Sequence, residues 1–187
     1  MDQRELVERA QRGDRDAFAV LALAFVARLD AAARLILRDH ELARDAVQEG
    51  FIRAWRNLPT LRDPDRFEGW IRSLVVRSCI DVLRRRGRRP MEVELLPIDG
   101  PVVADMASLV ADRELLDLAL ARLHPEQRAV VVLHYYFGLP LPEVARTLGI
   151  PIGTAKSRHH RSLAAMRAAI DSDMATPVSS IVGGQLA

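Results

Sequence analysis

The side chains in this sequence that could do chemistry are mostly cations, spaced to meet a polyanion rather than to run a reaction. Lys156, Ser157, Arg158, His160 and Arg161 fall in a stretch, 152–170, that contains no acidic residue. At about 100° per residue, Gly153, Ser157, His160, Arg161 and Ala164 share one side of a helix. Ile152, Ala155, Leu163, Met166 and Ile170 share the other, with Lys156 and Arg158 on the flanks. A guanidinium can grip a guanine edge bidentately and either cation can neutralise a phosphate, so a small, polar, basic face suits a nucleic-acid groove. A second cluster, Arg84, Arg85, Arg86, Arg88 and Arg89, sets five guanidiniums in six positions, more than capping a helix C-terminus requires. No paired carboxylates, metal-spaced histidines or activated serine accompany them, and the adjacent His159 and His160 cannot point the same way from one helix. The expectation is a binding protein, not an enzyme, with no cofactor and no metal.

These cations need elements to hold them. Val144, Ala145 and Leu148 make one face of a short helix, Gly149, Ile150 and Pro151 interrupt it, and the acid-free run follows. That pattern is a helix-turn-helix whose second helix would enter a major groove. Upstream, Leu6, Val7 and Ala10 predict a first helix closed by Gly13, and Asp14 can cap a second carrying Phe18, Leu21, Ala22 and Phe25 and continuing through 31–37. Asp39 can cap a third, with Leu42, Ala46, Val47, Gly50, Phe51, Ala54 and Trp55 inward. Asp63 and Pro64 start a fourth, in which Phe67, Trp70, Ile71, Leu74, Val75, Ser78, Val82 and Leu83 recur every three or four residues up to Gly87. Leu115, Leu116, Leu118, Ala119, Leu120 and Leu123 resume the spacing, and Pro125 opens a helix holding Val130, Val131, Leu133 and Tyr136, ended by Gly138. Period-two alternation is absent before residue 90.

A net charge of +2 decides nothing by itself; its distribution does. Behind the arginine block come Glu92, Glu94, Asp99, Asp105, Asp112, Glu114 and Asp117 with only Arg113 against them, while Pro97, Gly100 and Pro101 break any long helix. The fold expected is all-α: two small helical domains, 1–90 and 113–171, joined by a flexible acidic linker at 91–112 and followed by a disordered tail at 172–187. A lone cysteine, Cys79, and an N-terminus without an apolar core imply a reducing, cytoplasmic setting, and no apolar run approaches a membrane span.

Three segments together resemble the extracytoplasmic-function group of bacterial RNA polymerase sigma factors, in the sigma-70 family: DAVQEGFIRAWRNL at 45–58, RFEGWIRSLVVRSCIDVLRRR at 66–86, and LHPEQRAVVVLHYYFGLPLPEVARTLGIPIGTAKSRHHRSL at 123–163. The resemblance implies that 1–90 is region 2, which holds the polymerase core and opens the -10 element, and that 113–171 is region 4, which reads the -35 element. It assigns Asp45, Gln48 and Glu49 to the clamp of the largest polymerase subunit, where composition alone allows an ordinary solvated surface. Arg77, Asp81, Arg84, Arg85 and Arg86 would meet the -10 DNA, with Arg77 standing where many members carry asparagine. Lys156, Ser157, Arg158, His160 and Arg161 would meet the -35 DNA. His159 replaces a usual aliphatic residue, as a core histidine or a pH sensor. The implied partners are polymerase core, through that clamp and the flap of the second-largest subunit, promoter DNA and an anti-sigma factor. The linker acids would mimic nascent RNA in the polymerase cleft or serve only as a solvated hinge. The other reading of the chain is a conventional helix-turn-helix regulator with an N-terminal ligand-binding or oligomerisation domain.

Overall fold

A computed structural model describes residues 2–86 and 106–174. Among the described residues there are eight α-helices and no strand. The first half contains α1 (Gln3–Gln11), α2 (Arg15–Leu37), α3 (His40–Asn57) and α4 (Phe67–Arg86); the second contains α5 (Met106–Ala121), α6 (Pro125–Val131), α7 (Leu141–Leu148) and α8 (Ile152–Met174).

Local signals set most helix starts. The Asp14 carboxylate accepts from the Ala17 N–H at 3.0 Å and that of Asp39 from Leu42 N–H at 2.9 Å, each satisfying a donor that the first turn leaves open. Gly13, Gly138 and Gly149 hold positive φ angles of 93°, 69° and 65° where the chain reverses between helices. Asp63 acts differently from the expectation: it accepts from Asp65 N–H and opens a single 3-10 turn, Pro64–Arg66, from which α4 then grows. At the end of α2 the turn is made by Arg38, a non-glycine residue at φ 53°.

Leu21, Ala46, Val47, Phe67, Ile71 and Val75 form the centre of the first half, as their spacing predicted, joined by Ile36 and Leu58. Trp55 and Trp70 lie at its margin, the first against Phe18 (ring centroids 5.1 Å apart) and the second against Phe67 (6.0 Å). The second half packs directly on the first. Ala129, Val130, Leu133, Leu139 and Val144 belong to the same apolar cluster, and Leu35 of α2 also packs on the smaller cluster of Leu120, Leu123 and Val131.

Four expectations fail for identifiable reasons. α5 begins at Met106, inside the expected linker, because the breakers Pro97, Gly100 and Pro101 all precede it and MASLVAD contains good helix formers. α8 runs to Met174, past the expected boundary at 171. Tyr136 is exposed rather than inward: Val132–Tyr136 is a turn of π-helix, whose extra residue rotates Leu133 inward and the tyrosines outward. Ile152 is 41% exposed, since the first turn of α8 projects beyond the packed layer. Arg88, Arg89, the acids Glu92, Glu94, Asp99 and Asp105, and the tail from 175 lie outside the described residues.

Close approach of α3 and α4 requires a glycine. A Cβ on Gly50 would lie 2.5 Å from Val75 Cγ2 and 2.9 Å from Val75 Cα, and the latter is backbone that cannot rotate away. Gly50→Ala should therefore destabilise the protein by about 1–3 kcal/mol, more than the ~1 kcal/mol that alanine offers in helix propensity. A urea midpoint equal to or above that of the parent would show that the two helices can part without cost.

Candidate nucleic-acid and polymerase interfaces

The helix-turn-helix is built by its turn. Gly149 N–H donates to Arg146 O (3.3 Å) and Ile150 N–H to Ala145 O (3.0 Å), closing α7, and Pro151 then supplies the carbonyl that accepts the first bond of α8 from Ala155 N–H (3.1 Å). The inward side of α8 carries Ala155 and Ser162, both fully buried, with Leu163 and Met166 half-buried. Ser162 fits there because its hydroxyl donates to Arg158 O at 2.7 Å, a bond within its own helix that leaves nothing unsatisfied.

The opposite side presents Gly153, Lys156, Ser157, His160, Arg161 and Ala164 to solvent, as the spacing predicted. Arg161 makes one weak bond, Nε to Ser157 O at 3.3 Å, so its guanidinium is available. Arg158 behaves differently. Its guanidinium is ion-paired with Glu126 of α6 and only 22% exposed, so it fastens the recognition helix to the helix behind it rather than waiting for a phosphate. His159 also turns inward. Its ring stacks on Tyr135 (5.8 Å, 22°), meets His134 edge-on (5.0 Å, 87°), and places Nε2 3.1 Å from the Tyr135 hydroxyl. Partial burial, then the neighbouring His134 and His160, hold its pKa below the ordinary histidine value.

On α4 the -10 candidates divide. Arg84 and Arg85 are exposed; Arg85 Nε donates to Asp81 O at 3.3 Å. Asp81 is engaged by Arg53, whose guanidinium spans Asp81 (2.9 Å) and Glu49 (2.8 Å), and those two hydrogen bonds raise the Arg53 pKa. Arg77 points the other way, Nε donating to Thr147 O at the end of α7 (3.3 Å). The side chain of Arg86 lies outside the described residues. On α3, Asp45 and Gln48 are exposed, whereas Glu49 is half-buried and paired. A groove of about 480 Å³ runs between α3 and α4, lined in part by Asp45, Glu49, Arg53 and Arg85, with the buried Ser78 at its floor.

Residues missed by sequence reasoning are the inward arginines. Arg128 is 2% exposed and Arg38 nearly as buried. For Arg128 a signal existed: it lies three and four residues before Val131 and Val132 and so shares their inward phase.

Residues 21–89 match the family description Sigma-70 region 2, and residues 113–166 match Sigma-70, region 4. The ECF RNA polymerase sigma factor SigM of Mycobacterium tuberculosis is 35% identical over 161 residues, covering 86% of this chain and 80% of the relative. The chain belongs to the extracytoplasmic-function group of RNA polymerase sigma factors. The RNA polymerase sigma-H factor of Pseudomonas aeruginosa is 31% identical over 181 residues (89% and 91% of the two chains). SigE of Mycolicibacterium smegmatis is 38% identical over 142 residues; there the match spans 72% of this chain but 53% of the longer relative. Among solved structures, CnrH in complex with the cytosolic domain of CnrY superposes with a TM-score of 0.65 at 26% identity, covering 91% of this chain and 98% of that one. RpoE of Bartonella quintana gives 0.67 at 22% identity, covering 83% and 98%, and supports the fold. A region 2 match over residues 21–89 does not favour the alternative of a conventional regulator with a ligand-binding or oligomerisation domain there.

Three outcomes follow for region 4. Arg161→Ala should cost roughly 1–3 kcal/mol of discrimination at one position of the -35 element, measured on duplexes substituted one base pair at a time. Arg158→Ala should leave that discrimination intact and lower thermal stability by about 1 kcal/mol, the reach of a partly exposed ion pair; the reverse pattern would exchange the roles assigned to the two arginines. For His159, a folded-state pKa below the unfolded value means that the unfolded chain takes up the proton first. Stability is then full above the unfolded histidine pKa and falls as pH drops through the folded one. Melting temperatures recorded between pH 7.5 and 5 should decline more steeply for the parent than for His159→Gln, and parallel curves would exclude the histidine as the source.

Proposed function

We propose that this chain binds core RNA polymerase and directs it to start transcription at promoters carrying paired -35 and -10 elements. The observation that carries the reading is that region 2 and region 4 occur in order in one chain, each presenting an exposed surface of the required chemistry. Asp45 and Gln48 on the outside of α3 form the polymerase-facing patch, with Glu49 contributing through its pairing with Arg53. They meet the clamp of the largest subunit, while region 4 meets the flap of the second largest. Arg84 and Arg85, the latter bonded from Nε to the Asp81 carbonyl, track the -10 strand with Asp81 beside them and Arg86 following. Lys156 holds phosphate, and Ser157, His160 and Arg161 face base edges of the -35 element. The chain supplies recognition and no catalytic groups of its own, and works in the cytoplasm where polymerase and promoter are; no described helix is long and apolar enough to cross a membrane.

The RpoE of Bartonella quintana was solved in complex with the anti-sigma factor NepR. A protein inhibitor of that kind is the natural regulator here, and the same surfaces of α3 and α4 are what it would have to cover.

Asp45 gives the cleanest test, because no other described side chain uses its carboxylate as it does that of Glu49. Asp45→Lys should weaken co-purification with core polymerase at least tenfold, while the melting temperature stays within the small change expected of an exposed substitution, about 0.5 kcal/mol. Undiminished core affinity would remove α3 from the interface, and a parent chain that fails to bind core would contradict the function itself.

A further inference from the structure

The first turn of α8 differs from the rest of that helix. Ile152, which spacing places with the inward residues Ala155 and Leu163, is 41% exposed. Pro151 before it and Gly153 after it are exposed as well, so the tip of the helix is apolar and uncharged. The cations begin one turn later with Lys156, four residues on from Ile152 and therefore on the same flank. Gly153 adds an independent observation. A Cβ built there would meet nothing within 4 Å, and its φ is not among the positive ones, so neither packing inside the protein nor backbone conformation calls for glycine. Alanine would favour the helix more; what glycine offers instead is close approach of the backbone to a body outside the protein. Gly153 shares a side of α8 with Ser157, His160 and Ala164, so that body is the one the basic face meets.

An aliphatic side chain at such a tip can neither donate nor accept a hydrogen bond. Among the base edges of a major groove there is one apolar group for it to touch, the 5-methyl of thymine. In a helix-turn-helix the residues that reach base edges are those early in the second helix. We infer that Ile152 is a specificity-determining residue that packs on a thymine methyl in the -35 element, with Gly153 letting the first turn of α8 sit deep enough in the groove for that contact. The inference deepens the sigma-factor reading and rests on it. Recognition at this base pair works by shape and desolvation, so it senses a single methyl group, whereas the neighbouring Lys156 senses phosphate charge and hence salt.

Core polymerase loaded with the full chain can select bound duplexes from a randomised pool, and the recovered sequences reveal the thymines of the -35 block. Each thymine is then replaced by uracil, which keeps every hydrogen-bonding group and removes only the methyl. The parent should lose about three- to fivefold in affinity at one such position, the effect of leaving one methyl without its apolar contact. With Ile152→Ala the thymine and uracil duplexes should bind equally there, while Arg161→Ala keeps the difference. Gly153→Ala should melt at or above the parent temperature, because the added methyl meets nothing inside the protein, yet weaken the selected duplex by at least about fivefold through crowding against the DNA. No position at which uracil weakens the parent, a thymine preference that survives Ile152→Ala, or full affinity in Gly153→Ala would overturn the inference. So would an Ile152→Ala loss that is equal across all duplexes, scrambled ones included, since that places the residue against polymerase and not DNA. A parent holoenzyme that recovers no common upstream block would overturn the sigma-factor reading itself.

Discussion

A buried guanidinium must find acceptors, and Arg128 finds one in the opposite half of the molecule, the Ile36 carbonyl. Burial lowers its pKa to about 10, with Arg38 nearby adding to the effect, so it stays charged at neutral pH and the cost of its desolvation is real. Such a group adds little net stability, but it fixes geometry: α6 fits where the Ile36 carbonyl, freed at the end of α2, can accept the hydrogen bond. Arg38 at φ 53° completes the corner by turning the chain away from α2 while its side chain holds Asp117 of α5. The orientation of region 4 on region 2 follows from that corner, and the apolar contacts of Val130, Leu133 and Val144 fill the space it defines.

The same chemistry divides the cations into groups that a charge count cannot distinguish. Arg38, Arg72 and Arg128 are turned inward and hold helices together. Arg53 and Arg158 bridge to acids on neighbouring elements and keep a surface in shape. Arg84, Arg85, Lys156 and Arg161, among others, are exposed at the surface. A net charge of +2 is therefore no measure of how much positive charge any one surface presents, because the cations differ in exposure and pairing.

How far the sequence revealed this depends on the range of the interaction. Caps at Asp14 and Asp39, the glycine reversals, and the inward faces of α3, α4 and α8 are local and could be read from spacing, as could the exposure of Asp45, Gln48, Lys156, Ser157, His160 and Arg161. The π-turn at Val132–Tyr136 defeated a 3.6-residue period that holds on either side of it. His159 sits inward as the core reading expected, but its particular neighbours, like the Glu126 partner of Arg158, come from an element behind α8, and nothing within the helix announces them. The docking of the two halves was the least legible, since Arg28 and Arg72, whose guanidiniums lie over the Phe137 ring, are far from it in sequence and Phe137 lies in the connection between α6 and α7, where helical spacing says nothing.

The central claim is that one chain programmes polymerase to recognise two separated DNA elements. It is tested most directly by transcribing a fragmented genomic library with sigma-free core enzyme, with and without this protein, and mapping the RNA 5′ ends. A set of starts should appear only when the protein is present, and those starts should share one sequence block near -10 and a second near -35. Starts that are independent of the protein, or that share no upstream block, would contradict the account.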